Sequence, residues 1–190
     1  MISASAVGYY GDRGDQEIDE ETPAATDFTG RLCADWELAA RPVEALGVRL
    51  VLLRIGIVLA PKGGALEKMV LPFRLFAGGP VGRPGQWMPW IHIDDLVGVI
   101  LFAIDQNGAR GPINGTGPHP ATTQTLASTL GKVLHRPSWI PVPAAAIKLI
   151  FGTRAGLLLA SQRVLPRKAE ALGFSYRYPE LEGALRACLP

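Results

Sequence analysis

Between Val48 and Leu59 the chain runs as a near-continuous series of Val, Leu and Ile, interrupted by Arg49, Arg54 and Gly56. A strand that is apolar on both sides cannot lie on a sheet with one solvated face. It reads as an inner strand of a parallel sheet with helices on either side. A second strand is expected in the opening MISASAVGYYG, where Ile2, Ala4, Ala6 and Val7 are apolar, Ser3 and Ser5 alternate with them, and Gly8 to Gly14 break the run. Between the two lies a helical pattern capped by Asp27, with Leu32, Trp36, Ala39, Ala40 and Val43 on one side and Gly47 at its end. Pro42 predicts a kink or restart near Arg41, because a proline inside a helix costs about 3 kcal/mol. Strand, helix and strand in this order predict a right-handed parallel crossover, with residues 1–7 beside 49–59 and the helix packed on them through Leu32, Trp36 and Ala40.

Further along, Leu66 to Phe76 reads as a short helix despite Pro72, and 78–85 as a Gly/Pro loop. Trp87 to Ile93 reads as a short strand, Asp94 or Asp95 as the cap of a helix to Ile104, and 111–117 as an edge strand. Thr122 or Thr123 caps a helix that shows Leu126, Leu130, Val133 and Leu134 on one face. From Pro137 the texture turns proline-rich, then amphipathic, with Gly173 as a helix end and a last short helix after Pro179. The expected fold class is α/β: the C-terminal part of a Rossmann-type doubly wound parallel sheet over residues 1–136, and a small α-rich C-terminal domain over 137–190. A strand as buried as the first one belongs inside a sheet, so the chain is expected to be the later part of a longer protein. On that reading the chain alone should bind cofactor weakly and aggregate, or pair as a homodimer through the open strand edge.

At 48% hydrophobic and 19% charged residues, neither disorder nor coiled coil is expected. The apolar stretches are too short or too charged to cross a bilayer, so no membrane partner is expected. Cys33 and Cys188 suit a reducing compartment, either the cytoplasm or an organelle, and together with three scattered histidines they make no metal site. Residues 1–60 hold 10 acids and 5 bases, whereas 61–190 hold 7 acids and 14 bases. The bases of the second part are dispersed and lack interleaved aromatics, which favours a small anionic ligand over nucleic acid.

Gly8, Gly11 and Gly14 imitate a dinucleotide-binding turn. That turn must run straight into a helix whose N-terminus faces the pyrophosphate, and here Asp15, Glu17, Asp19, Glu20 and Glu21 follow instead. The glycines are therefore a decoy.

The motifs SASAVGYYG, LCADWE, LRIGIVL, GGAL, WIHIDDL, SQRVLP and GFSYRYPEL occur in that order. In this order they resemble the epimerase-like branch of the extended, atypical short-chain dehydrogenase/reductases, over nearly the whole chain. The resemblance implies an NADP- or NAD-binding Rossmann domain, a polar small-molecule substrate of nucleotide-sugar type and hydride transfer as the reaction. It also implies a Tyr-x-x-x-Lys pair on the helix after the serine, but the matching positions are Thr29 and Cys33. The alternative is accordingly a non-catalytic NADP-binding protein that acts as a redox-responsive partner.

By the same resemblance, Ser5 is the serine that polarises the substrate oxygen, and Tyr9 or Tyr10 stands in for the missing tyrosine. Ser3, Arg54, Gly56, Ile57 and Val58 meet the cofactor, while Arg83, Gln86, Trp87 and His92 border the substrate. The plainer accounts stay open. Ser5 is tolerated at a strand end, Tyr9 and Tyr10 pack, and Arg54 pairs with Glu37 or Asp35. His92 and Asp94 serve a helix start, and Cys33 is an inert buried thiol. Ser5, Tyr9 or Tyr10, Gly56, Ile57 and His92 are expected to meet in one cleft at the C-terminal ends of the strands.

Overall fold

The computed structural model describes residues 1–141 and 159–189. Its centre is a three-stranded parallel sheet of β1 (Ile2–Ala6), β3 (Val51–Ile55) and β7 (Gly111–Gly115), in the order β1-β3-β7. β1 and β3 are parallel neighbours, as the strand-helix-strand pattern predicts. The alternation along the middle strand explains its composition. Leu50 and Leu52 face one way, into a cluster with Ala40 of helix α1 (Phe28–Ala40). Val51 and Leu53 face the other way, against Leu96, Val99 and Ala103 of α3 (Ile93–Asp105). With a helix on each face, every side chain of the strand up to Arg54 is buried.

The apolar run is not one strand. It breaks at Gly56 into β3 and β4 (Ile57–Leu59), and β4 leaves the central sheet to pair with β6 (Trp90–His92). Gly56 is required at the break, since a Cβ there would stand 2.5 Å from the Pro89 carbonyl oxygen. Pro89 likewise divides the expected strand at 87–93 into β5 (Trp87–Met88), which pairs antiparallel with β8 (Ala121–Thr122), and β6. A short parallel pair of β2 (Glu17–Ile18) and β9 (Arg163–Val164) ties the loop after β1 to the C-terminal part of the chain.

Helix α1 begins where Asp27 accepts a hydrogen bond from the Gly30 amide at 2.7 Å, and a 3-10 segment holding Pro42 continues it from Arg41 to Leu46. Its buried face differs from the expected one: Gly30, Cys33, Glu37 and Ala40 point inward, Leu32 is half-buried, and Trp36 and Ala39 lie outside, Trp36 at 53% exposure. The helix turns a carboxylate inward because the strand beneath it carries Arg54.

Helix α2 (Gly64–Arg74) and α4 (Thr123–Leu134) build a second core with α6 (Leu181–Cys188). Thr122 caps α4, and Leu126 and Leu130 supply its buried stripe. α5 (Arg167–Ala171) ends at Gly173, whose φ of +90° no other residue type adopts readily. The amphipathic helix expected directly after Pro143 falls on 142–158, outside the described residues.

Candidate active site

One row of the sheet defines the site. Ser5, Arg54 and Asn114 are register partners across β1, β3 and β7, each one residue from the C-terminal end of its strand. They share the face turned to α1, and all are buried. Polar side chains at the carboxyl ends of parallel strands are where open α/β sheets place their ligands.

A buried cation must find partners, and Arg54 is fully supplied. Its Nε donates to Glu37 Oε1 at 2.8 Å and its Nη2 to Glu37 Oε2 at 2.9 Å, a bidentate pair. Nη1 donates to the Tyr10 hydroxyl at 2.9 Å and to the Glu20 carbonyl at 3.1 Å. The Tyr10 hydroxyl in turn donates to Asn114 Oδ1 at 2.6 Å, and the Glu20 carboxylate accepts from the Asn114 amide at 3.0 Å. Of the two partners open to Arg54, Glu37 is the one it takes. Asn114 and Glu20 carry no signal in the sequence, since an asparagine just before a glycine reads as a turn and a glutamate in an acidic loop reads as a surface residue.

This network decides what the expected residues can do. Tyr10 is wholly enclosed, and burial pushes its hydroxyl far above the ordinary tyrosine value despite Arg54 beside it. It is a strut, closed to substrate. Ser5 Oγ donates to Glu37 Oε1 at 2.9 Å, so in this arrangement its proton serves the carboxylate and does not polarise a substrate oxygen. Burial pushes Glu20 above the ordinary carboxylate value and the Cys33 thiol up as well, which fits an inert sulfur rather than a nucleophile.

Tyr9 differs. Its ring lies flat on the Arg54 guanidinium, 3.5 Å from centroid to Cζ, with its neighbour Tyr10 edge-on at 5.3 Å. It is half-buried, and its hydroxyl has no protein partner among the described residues. Just past β7, the Thr116 hydroxyl is sealed and unpartnered. Ser3 lies on β1 two residues before Ser5, away from the strand ends, while Gly56, Ile57 and Val58 continue from Arg54 with the Gly56 and Ile57 amides bonded to Gly115 and Pro89.

The residues expected around the substrate divide into two groups. Arg83 and Trp87 border the loop after β1, Arg83 Nη2 donating to Asp12 at 3.1 Å and Trp87 Nε1 to Asp15 at 3.0 Å, while Gln86 Nε2 donates to the Ala160 carbonyl at 3.2 Å. His92 makes its contacts with other partners. It is the N-cap of α3, a place expected for Asp94 or Asp95, and its Nδ1 accepts from the Asp94 amide at 3.1 Å. Its ring stacks on Tyr178 at 4.0 Å, and Asp95 accepts the Arg177 and Tyr178 amides at 2.7 and 3.0 Å. The WIHIDD segment is thus a clamp on the GFSYRYPEL segment, and the stacking of His92 runs to that segment.

Gly8, Gly11 and Gly14 lead into a 3-10 turn and an irregular loop, and the next helix starts only at Phe28. No described residue of this run offers a pyrophosphate the helix N-terminus it needs.

A parallel sheet wrapped by helices on both faces, with a polar row at its strand ends, defines a Rossmann-type α/β protein. The family model that matches residues 142–188 is a domain of unknown function, DUF1731. The Arabidopsis thaliana chloroplastic homologue of epimerase family protein SDR39U1 is 44% identical over 189 residues, covering 100% of this chain and 54% of its own length. The mouse epimerase family protein SDR39U1 is 44% identical over 97% of this chain and 64% of its own length. The crystal structure of the human protein with NADPH superposes with a TM-score of 0.91 at 42% identity, over 98% of this chain and 64% of that one. A nucleoside-diphosphate sugar epimerase from Corynebacterium glutamicum superposes with a TM-score of 0.79 at 36% identity, over 97% and 36%. The chain is similar over nearly its whole length to proteins of the epimerase family, and its fold is consistent with the atypical short-chain dehydrogenase/reductases. It spans 54% to 64% of the length of these SDR39U1 relatives.

Proposed function

We propose that the strand ends of β1, β3 and β7 hold the nicotinamide end of NADP(H), or of NAD(H), and that Tyr9 serves proton transfer to a small polar substrate beside it. The observation that carries this reading is the Tyr9 ring held on a buried, doubly paired guanidinium with its hydroxyl unspent at the strand ends. The human relative crystallised with NADPH supports the choice of cofactor. The residues fit the ring end of such a molecule, where half-buried Tyr9 keeps a hydroxyl that no other described residue uses. They do not fit its pyrophosphate, for which the Gly8 to Gly14 run supplies no helix start.

When bound, the cofactor supplies or accepts hydride at a carbonyl or carbinol carbon. Tyr9 gives a proton to the oxygen of that group, or takes one from it. Arg54, immobilised by Glu37, orients the Tyr9 ring. Ser5 orients Glu37. The protein works in the cytoplasm or in an organelle, on a polar small molecule of nucleotide-sugar type, with residues 1–136 as the cofactor domain and 137–190 as a small second domain.

A second reading, a cofactor-binding protein without turnover, is favoured by Thr29 and Cys33 at the family's Tyr and Lys positions, Cys33 being sealed and uncharged. Oxidation of NADPH against a panel of aldehydes, ketones and nucleotide sugars separates the two. Turnover that falls at least about a hundredfold in Tyr9→Phe, with the KM for NADPH unchanged, supports catalysis by Tyr9. NADPH binding without turnover across the panel supports the second reading.

A further inference from the structure

At the opposite end of α4 from this site, the chain makes a second concave surface. Thr123, at the start of α4, is tied to the 83–86 loop, its Oγ1 donating to the Arg83 carbonyl at 2.7 Å and its amide to the Gln86 carbonyl at 2.8 Å. The helix is 12 residues long, which places its other end about 18 Å away. There His135 takes a left-handed conformation, φ 54° and ψ 48°, and Arg136 returns its amide to the Gly131 carbonyl at 2.9 Å. The turn folds so tightly on Gly131 that a Cβ there would stand 2.7 Å from Ser138. The result is an open pocket of about 550 Å³ bordered by Lys132, Arg136, Ser138, Trp139 and, from α6, Arg186.

The chemistry of this pocket is specific. Lys132 and Arg186 share a single carboxylate, Glu182, at 2.7 and 2.9 Å, and Arg136 has no acidic partner among the described residues. Three cations face one anion. The Glu182 pairs are solvent-exposed, so releasing them toward a ligand costs little. Arg136 is held over the Phe76 ring, 4.6 Å from Cζ to centroid, so its guanidinium is positioned before any ligand arrives. Trp139 is 76% exposed, and its indole N–H has no partner among the described residues. Pre-placed cations beside an uncovered indole match a phosphate attached to a flat ring.

We infer that this pocket is a second ligand site, for a small phosphorylated molecule that carries an aromatic ring, with Lys132, Arg136 and Arg186 on the phosphate and Trp139 stacked on the ring. The site is independent of the cofactor reading above.

Titration of the protein with ADP, adenosine and inorganic phosphate, followed by calorimetry and by tryptophan emission, tests it. ADP should bind more tightly than either fragment and quench an emission component that Trp139→Phe removes. The double variant Lys132→Ala, Arg136→Ala should weaken ADP more than about fivefold, and Glu182→Gln, which releases Lys132 and Arg186, should tighten it. That gain cannot arise from misfolding. ADP that does not bind at millimolar concentration, or that binds to the double variant within about fivefold of the parent, overturns the inference, as does an affinity that Glu182→Gln leaves unchanged or lowers.

Discussion

Removal of the Glu37 carboxylate is the sharpest perturbation of the polar row. Glu37 and Arg54 are 4% and 3% exposed, and they share two charge-assisted bonds of 2.8 and 2.9 Å. Glu37→Ala leaves the guanidinium buried without its counter-charge and the Ser5 hydroxyl without its acceptor. Breaking one side of such a pair costs about 3–5 kcal/mol. A domain is stable by only about 5–15 kcal/mol, so this variant should approach the limit of folding. Glu37→Gln keeps one acceptor oxygen and should cost about 1–3 kcal/mol. Replacing both partners, as Glu37→Leu with Arg54→Met, removes the stranded charge and should recover most of the loss. Urea unfolding by circular dichroism reads all three variants through the midpoint, with the slope unchanged. A cost below about 1 kcal/mol for Glu37→Ala, or a double variant no more stable than the single one, would refute the argument that this pair is desolvated and mutually dependent.

Three further outcomes follow from the same geometry. Asp27→Ala should cost about 1 kcal/mol by removing the cap on the Gly30 amide, read by the same denaturation. Glu20 is raised above 4.5 by burial, so the native state holds its proton more tightly than the unfolded chain. Stability should therefore fall as pH rises from about 4.5 through the higher folded value, and Glu20→Gln should flatten that slope. Burial lowers His92 from 6.5, so its contribution is fully present above pH 6.5 and is lost as pH falls toward the folded value. The protection factors of the Arg177 and Tyr178 amides against hydrogen exchange should fall over that interval, and protection that His92→Ala leaves unchanged would contradict the clamp.

Much of the framework was legible from local chemistry. The apolar strand, the Asp27 and Thr122 caps, the Pro42 restart and the Gly173 helix end are each dictated by a residue or two and their near neighbours. The break at Gly56 was not, because it depends on Pro89, distant in sequence, approaching the backbone. The facing of α1 was misjudged for a related reason. Hydrophobic periodicity nominated Trp36, but the buried charge at Arg54 drew Glu37 inward and turned the indole out. Arg54 itself was readable as a buried cation in need of a partner. Tyr9 and Tyr10 could not be told apart, since their sequence context is the same and only the Asn114 and Arg54 contacts enclose one of them. The histidine of WIHIDD was ambiguous until Tyr178, 86 residues on, was found stacked against it.

The claim on which the functional account rests is that NADPH binds at the strand ends beside Tyr9. The most direct measurement is titration of the protein with NADPH, following nicotinamide emission, in the parent, in Tyr9→Phe and in Tyr9→Arg. The account predicts weak but saturable binding that Tyr9→Phe preserves, because the ring remains on Arg54. It also predicts that Tyr9→Arg weakens binding by more than about tenfold, since a second cation against the Arg54 guanidinium unseats that ring. NADPH binding equal in all three proteins, or absent from the parent, would contradict it.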